Sequence, residues 1–175
     1  MTRSVLLLRA VNVGGRSRVP MARLREVLEP ELGKVSTYIA SGNIVCAHPS
    51  DPRAASERVR SLIAAEFDVD TPVIVRTHED LRAALDALPF PDASEKMLHA
   101  MFLGGPAAAG AVDALLPRLV SGERIALIGD ELWIDYGEGG VRSTKLTTAV
   151  LDRALGVAGT ARNLRTLRTL TELTA

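Results

Sequence analysis

Two short stretches 90 positions apart, NVGG at 12–15 and FLGG at 102–105, each close an apolar run and each precede a helical pattern. Further landmarks recur in the same order. Gly129-Asp130 lies 87 positions after Gly42-Asn43, and Thr160, Arg165, Thr166 and Leu170 lie 89 after Thr71, Arg76, Thr77 and Leu81. Ordered repetition of this kind restricts the chain to two copies of one supersecondary unit.

The unit itself is read from periodicity. Residues 4–13 are apolar at nearly every position, the pattern of a strand covered on both faces. Pro20 suits a helix start, Met21, Leu24, Val27 and Leu28 form an apolar stripe, and Gly33 is a natural stop. VSTYIA (35–40) and IVCA (44–47) flank Ser41-Gly42-Asn43 as a hairpin. Asp51-Pro52 opens a helix running to about Phe67, TPVIVRT (71–77) is a fourth strand, and 78–88 is helical. That order, β-α-β-β-α-β, is the split βαβ pattern of ferredoxin-like folds. After Pro89 and Pro91 it returns: a strand at 97–105, an Ala-rich helix at 106–119, a hairpin about Gly129-Asp130, a helix near 144–155, TARNLRT at 160–166 and a C-terminal helix. The expected class is α+β, two tandem ferredoxin-like units at 1–88 and 97–175 joined by a linker at 89–96.

Composition narrows the functional classes. The 21 basic and 21 acidic residues cancel, so no whole-molecule field attracts nucleic acid or a membrane. The balance hides a pattern, because residues 1–34 and 141–175 each carry a net charge of +4 while the middle is acidic. One cysteine, Cys46, cannot form an internal disulfide, and VLLLRAVNV is too short and too interrupted by Arg9 for a signal peptide. The expected location is the cytoplasm. His48, His78 and His99 lack metal-ligand spacing, so no metal or cofactor is expected, and no GxSxG elbow or Cys-His pairing points to a nucleophilic hydrolase.

RAVNVGG (9–15), TYIASGNIV (37–45), STKL (143–146) and TARNLRT (160–166) resemble the signatures of a bacterial family, the domain of unknown function numbered 1697. Its members carry motifs like LLRGINVGG, TYIQSGN, SKL and TxRNWNT. The resemblance covers essentially the whole chain and implies a duplicated α+β fold without an activity. Ala10 stands where the family has Gly, and Leu164 and Arg165 replace its Trp and Asn. Arg9, Asn12, Gly14, Gly15, Ser41, Gly42, Asn43, Lys145, Arg162 and Asn163 match the pattern and are the candidate ligand-binding residues.

Topology sets the first group together, since the end of strand one and the tip of the hairpin share an edge of a split βαβ sheet. Glycine amides before a helix can cradle an anion, with Arg16 and Arg18 adding charge, or they can be turns alone. Arg9, on the face of Val5, Leu7 and Val11, must be paired or face a wet cleft between the repeats. Lys145 is one of only three lysines against eighteen arginines, and is a phosphate contact, a nucleophile if desolvated, or a solvated helix-start residue. Arg162 and Asn163 either join the basic surface or serve as a cap. An RNA-binding sheet would need stacked aromatics, and the chain has six aromatics with none in strand one, so nucleic acid is not expected as a partner. Two readings remain open: a binding module for a small anionic or nucleotide-like ligand at a cleft between the repeats, and a structural or interaction protein whose polar motifs hold the repeats together. No matched acid and base assigns a reaction.

Overall fold

The computed structural model describes residues 2–175. The chain divides into two compact units, residues up to Ala83 together with Thr169–Ala175, and Ala84–Arg168. In the first, β1 (Arg3–Leu8), α1 (Met21–Leu32), β2 (Ser36–Tyr38), β3 (Asn43–Ala47), α2 (Pro52–Phe67) and β4 (Val73–Thr77) follow in order. The strands form an antiparallel sheet in the order β2-β3-β1-β4. β1 is central, and Val5 to Leu8 are all fully buried, which explains the unbroken apolar run.

Helices cover one face because their stripes match it. Leu24 and Leu28 on α1, and Val59 and Ile63 on α2, are buried against Leu6, Leu8, Ile44 and Cys46 of the sheet. Asp51 caps α2 by accepting the Ala54 amide at 3.0 Å, with Pro52 at the first helical position. Burial pushes the Cys46 thiol up to about 11, so it remains a protonated core side chain. Helix α3 (His78–Asp86) follows β4, and the His78 Nδ1–H donates to Thr171 O at 3.1 Å, tying the C-terminal residues to this unit.

The second unit repeats the plan with β5 (Leu98–Leu103), α4 (Ala111–Leu115) running into a 3₁₀ turn at Leu116–Arg118, β6 (Arg124–Ile128), β7 (Glu131–Asp135), α5 (Thr148–Leu155) and β8 (Gly159–Asn163). Its sheet order, β6-β7-β5-β8, is that of the first with each strand replaced by its counterpart. Helix α6 (Leu164–Thr174) follows β8 as α3 follows β4. Segment 89–96 packs within this unit: Arg124 pairs with Asp92 at 3.1 Å and with the buried Asp135 at 2.6 Å, and its guanidinium sits 4.5 Å over the Phe90 ring. The two units are α+β and ferredoxin-like, as the element order implies. No helix is long and apolar enough to cross a membrane among the described residues.

Several elements are shorter than the apolar pattern suggests, and each truncation has a cause. The expected strand 4–13 ends at Leu8 because Ala10 turns into positive φ at 52°. The strand expected at 35–40 ends at Tyr38 because Ile39 does the same at 51°. The Ala-rich helix expected over 106–119 keeps only five residues, since Gly110 is left-handed at its start and Pro117 lies beyond its end. The helix expected near 144–155 starts at Thr148, where the Thr147 hydroxyl accepts the Val150 amide.

Strand pairing also corrects the equivalences between the copies. Leu8 N–H donates to Gly42 O at 2.8 Å and Leu103 N–H to Asp130 O at 2.9 Å, so Leu8 and Leu103 correspond. Arg76 pairs with Val5 as Arg162 pairs with Ala100, and Thr77 with Ser4 as Asn163 with His99. Thus Arg162 is the counterpart of Arg76, whereas equal spacing in the sequence points to Arg165. Gly104 and Gly105 correspond to Arg9 and Ala10, so the NVGG and FLGG stretches occupy different places in their units. The spacing drifts because the two copies have loops of different length.

Gly159 is the tightest point of the second sheet: a Cβ there would lie 2.8 Å from Met101 Cε, 2.9 Å from Leu103 Cδ2 and 3.0 Å from the Phe102 carbonyl oxygen. Gly159→Ala is expected to destabilise the protein by about 1–3 kcal/mol through overpacking, read as a lower urea midpoint at unchanged slope.

Candidate functional site

The candidate residues of the first unit gather at the edge where β1 ends. Gly42, at φ 83°, is pressed against the strand so closely that a Cβ would stand 2.7 Å from Leu8 Cβ and 2.9 Å from Val11 Cγ2. Only glycine satisfies both the backbone conformation and the space. Beside it Asn43 is fully buried, and its Nδ2 donates to Tyr38 O at 2.9 Å and to Ser41 Oγ at 3.1 Å. The hairpin turn is therefore held by its own side chains.

Asn12 fastens the next loop to that turn. Its Oδ1 accepts Val19 N–H at 2.8 Å, while Nδ2 donates to Val19 O at 2.9 Å and to Ala40 O at 2.7 Å. Asn12 N–H donates to Ser17 O at 2.9 Å and Arg16 N–H to Val13 O at 3.0 Å, which makes 12–17 a miniature hairpin. Gly14 and Gly15, at φ 59° and 74°, form its tip as the two central residues of a type I′ turn. The sequence places the NVGG and SGN motifs at one edge, and the Asn12–Ala40 bond joins them.

Arg9 is the first residue beyond β1 and half-buried, a correction to its expected place in mid-strand. Its backbone is clasped by the buried Thr71, whose hydroxyl accepts Arg9 N–H at 3.0 Å and donates to Arg9 O at 2.7 Å. Thr71 thereby joins the candidate residues; motif reading marks it only as a repeat landmark, because its partner lies 62 positions away. Ile39 joins them too. It is half-exposed and β-branched, yet held at positive φ.

Backbone strain is concentrated here. Of the five non-glycine residues at positive φ among the described residues, Ala10, Asn12, Ser17 and Ile39 lie in these two loops, and Asp68 only closes α2. Each such residue costs about 1–3 kcal/mol and persists where surrounding bonds over-determine it. Charge is concentrated as well. Arg16 and Arg18 are exposed, and neither has an acidic partner among the described residues. Neighbouring Arg23, in contrast, is paired with Glu66 at 2.7 Å and Glu26 at 3.0 Å.

The remaining candidates belong to the second unit. Lys145 is exposed on the loop before α5, a correction to its expected helix-start position. Arg162 is buried on β8, where Nη1 donates to Thr160 Oγ1 at 2.7 Å and to Ala161 O at 2.9 Å; burial pushes it down to about 10. It therefore remains a cation near neutral pH. Asn163 Oδ1 accepts Thr166 N–H at 2.9 Å and so caps α6, as the Thr77 hydroxyl accepts Asp80 N–H at 3.0 Å before α3. Leu164 is buried and Arg165 is exposed.

Removing the Asn12 carboxamide leaves three backbone groups to find new partners, so Asn12→Ala should lower stability by about 2–4 kcal/mol. Asn12→Asp should not rescue it: the acceptor for Val19 N–H survives, but a carboxylate oxygen then faces two carbonyls. Ala10→Gly should raise stability by about 1 kcal/mol, because glycine relieves the positive-φ strain. Urea denaturation of the three variants checks all these outcomes.

The model of a family described as protein of unknown function (DUF1697) matches residues 1–133. The solved structure of the conserved bacterial protein SP0830 from Streptococcus pneumoniae is 24% identical, with 99% of each chain covered and a TM-score of 0.78, and shares the fold. No curated protein matches. The motifs quoted above in residues 9–15 and 37–45 fall inside the matched region, and the chain belongs to the DUF1697 family of proteins of unknown function.

Proposed function

We propose that the protein binds a small anionic or nucleotide-like ligand at the β1 edge of its first unit. The observation that carries this reading is the coincidence of strain and charge: four non-glycine residues held at positive φ, in loops that present Arg16 and Arg18 without acidic partners. Strain of this sort marks sites whose geometry is fixed for a purpose other than packing. In this reading Arg16 and Arg18 supply planar donor forks suited to phosphate or carboxylate, and Gly14-Gly15 allow the backbone to approach it. Asn12, Ser41, Gly42, Asn43 and Thr71 position the loops, with Arg9 at their base.

One observation favours the alternative, in which the motifs serve architecture alone. The carboxamides of Asn12, Asn43 and Asn163 all bond to groups of the protein. The exposed arginines separate the two readings, because architecture gives them nothing to hold.

The test is a thermal-shift titration with pyrophosphate, ATP and phosphorylated sugars at low salt. At a ligand concentration about 100 times Kd, linkage adds about 2.7 kcal/mol, a rise of several degrees in Tm. An Arg16→Ala/Arg18→Ala variant should keep the ligand-free Tm and lose the rise. If no anion moves Tm, the architectural reading stands.

A further inference from the structure

The second unit holds a cavity of about 510 Å³, made by the start of β5, the end of β8 and the loop that follows β7. Its lining includes Lys96, Met97, His99, Val141, Arg142 and Asn163. We propose that it is a binding site for a small organic anion, a carboxylate or phosphate borne on an apolar or aromatic body. The proposal does not rest on the β1-edge reading, since every lining residue belongs to the second unit.

Three observations lead there. The loop is preformed: Gly140 N–H donates to Gly137 O at 3.3 Å, Ser143 N–H to Gly140 O at 3.1 Å, and the Ser143 hydroxyl to Gly139 O at 2.9 Å. Gly137 anchors it, because a Cβ there would lie 2.7 Å from Gly122 O. A wall fixed before binding reduces the ordering cost of association.

The lining is also chemically mixed in the way ligand pockets are. Met97 and the half-exposed Val141 give it an apolar side. Lys96 and Arg142 are exposed against the single acid Glu138, and neither cation is ion-paired among the described residues. The excess is positive.

Finally, His99 is fixed in one tautomer. Its Nδ1 lies 3.1 Å from Met97 O, so that nitrogen carries the proton, and the ring meets Tyr136 edge-on at 5.0 Å and 83°. Burial lowers the imidazole from its usual value, which favours the neutral form. Nε2 is then a hydrogen-bond acceptor, and the imidazole adds no charge to the lining. Cations for the charged group and an apolar wall beside a neutral imidazole for the body define the class.

The test is an amide and imidazole NMR titration of the full chain with benzoate, phenyl phosphate and inorganic phosphate. Benzoate or phenyl phosphate should shift the amides of 138–142 and the His99 ring and saturate with Kd of about 1 mM or tighter. Which of the two binds tighter identifies the charged group. Lys96→Ala/Arg142→Ala, both exposed positions, should weaken binding about tenfold or more with the ligand-free spectrum otherwise retained. Inorganic phosphate should bind about tenfold more weakly, having no apolar body. Absence of shifts in 138–142 at about 10 mM ligand, shifts unaltered in the double variant, or equal affinity for inorganic phosphate would each overturn the proposal. Amides of 12–18 report the β1 edge in the same spectra, so the two sites succeed or fail separately.

Discussion

The close approach of Gly42 to Leu8 fixes the edge on which the rest of the first unit's site depends. With Leu8 N–H bonded to Gly42 O, and no space for a Cβ against Leu8 and Val11, the hairpin is seated on the end of the central strand. Once it is seated, the Ala40 carbonyl stands where Asn12 can reach it. The Asn12 carboxamide then sets the miniature hairpin, and the hairpin sets where Arg16 and Arg18 stand. A backbone contact thus governs the placement of charge, through one side chain that spends its donors and its acceptor on main-chain groups.

The second unit keeps the bond but not the constraint. Asp130 replaces Gly42 as the acceptor, in a two-residue turn where Gly129 alone takes positive φ. No counterpart of the Asn12 clasp follows, since Gly104 continues into a short loop before α4. What the copies share is the sheet, its register, and a capping residue at the end of the last strand, Thr77 or Asn163. Even the side chains of Arg76 and Arg162 repeat one habit, each donating from Nη1 to the carbonyl of the preceding residue, at 3.0 and 2.9 Å.

Much of this was legible in the sequence, and the reasons are local. The run Val5–Leu8, the stripe Leu24–Leu28, the Asp51-Pro52 start and the Gly33 stop each report a one-dimensional rule, and the elements stand where those rules put them. The convergence of NVGG and SGN follows from topology alone. Strand ends were less legible, because Ala10 and Ile39 adopt a backbone conformation their residue types disfavour, and only tertiary bonds hold them there. A glycine at position 10 is the residue this φ calls for. The role of Thr71, visible in sequence only as a repeat landmark, is hidden for the opposite reason: it is defined by a partner distant in sequence. The Gly-Gly pairs have equal spacing but not equal position, because loops of unequal length shift the true register.

Those unequal loops fall at opposite ends of equivalent strands. Twelve residues follow β1 before α1, but seven follow β5 before α4; four follow β3 before α2, but twelve follow β7 before α5. The loop after β1 leaves the C-terminal end of the central strand. β7 runs antiparallel to β5 with Asp135 opposite Leu98, so the loop after β7 leaves beside the N-terminal end of the equivalent strand. Each copy has therefore elaborated the opposite edge of the same sheet. At the elaborated edge of the first stand Arg9, Arg16 and Arg18; at that of the second stand Lys96, His99 and Arg142. Divergence is thus confined to opposite loop sets on a shared sheet plan, and each set gathers cations on a self-bonded backbone.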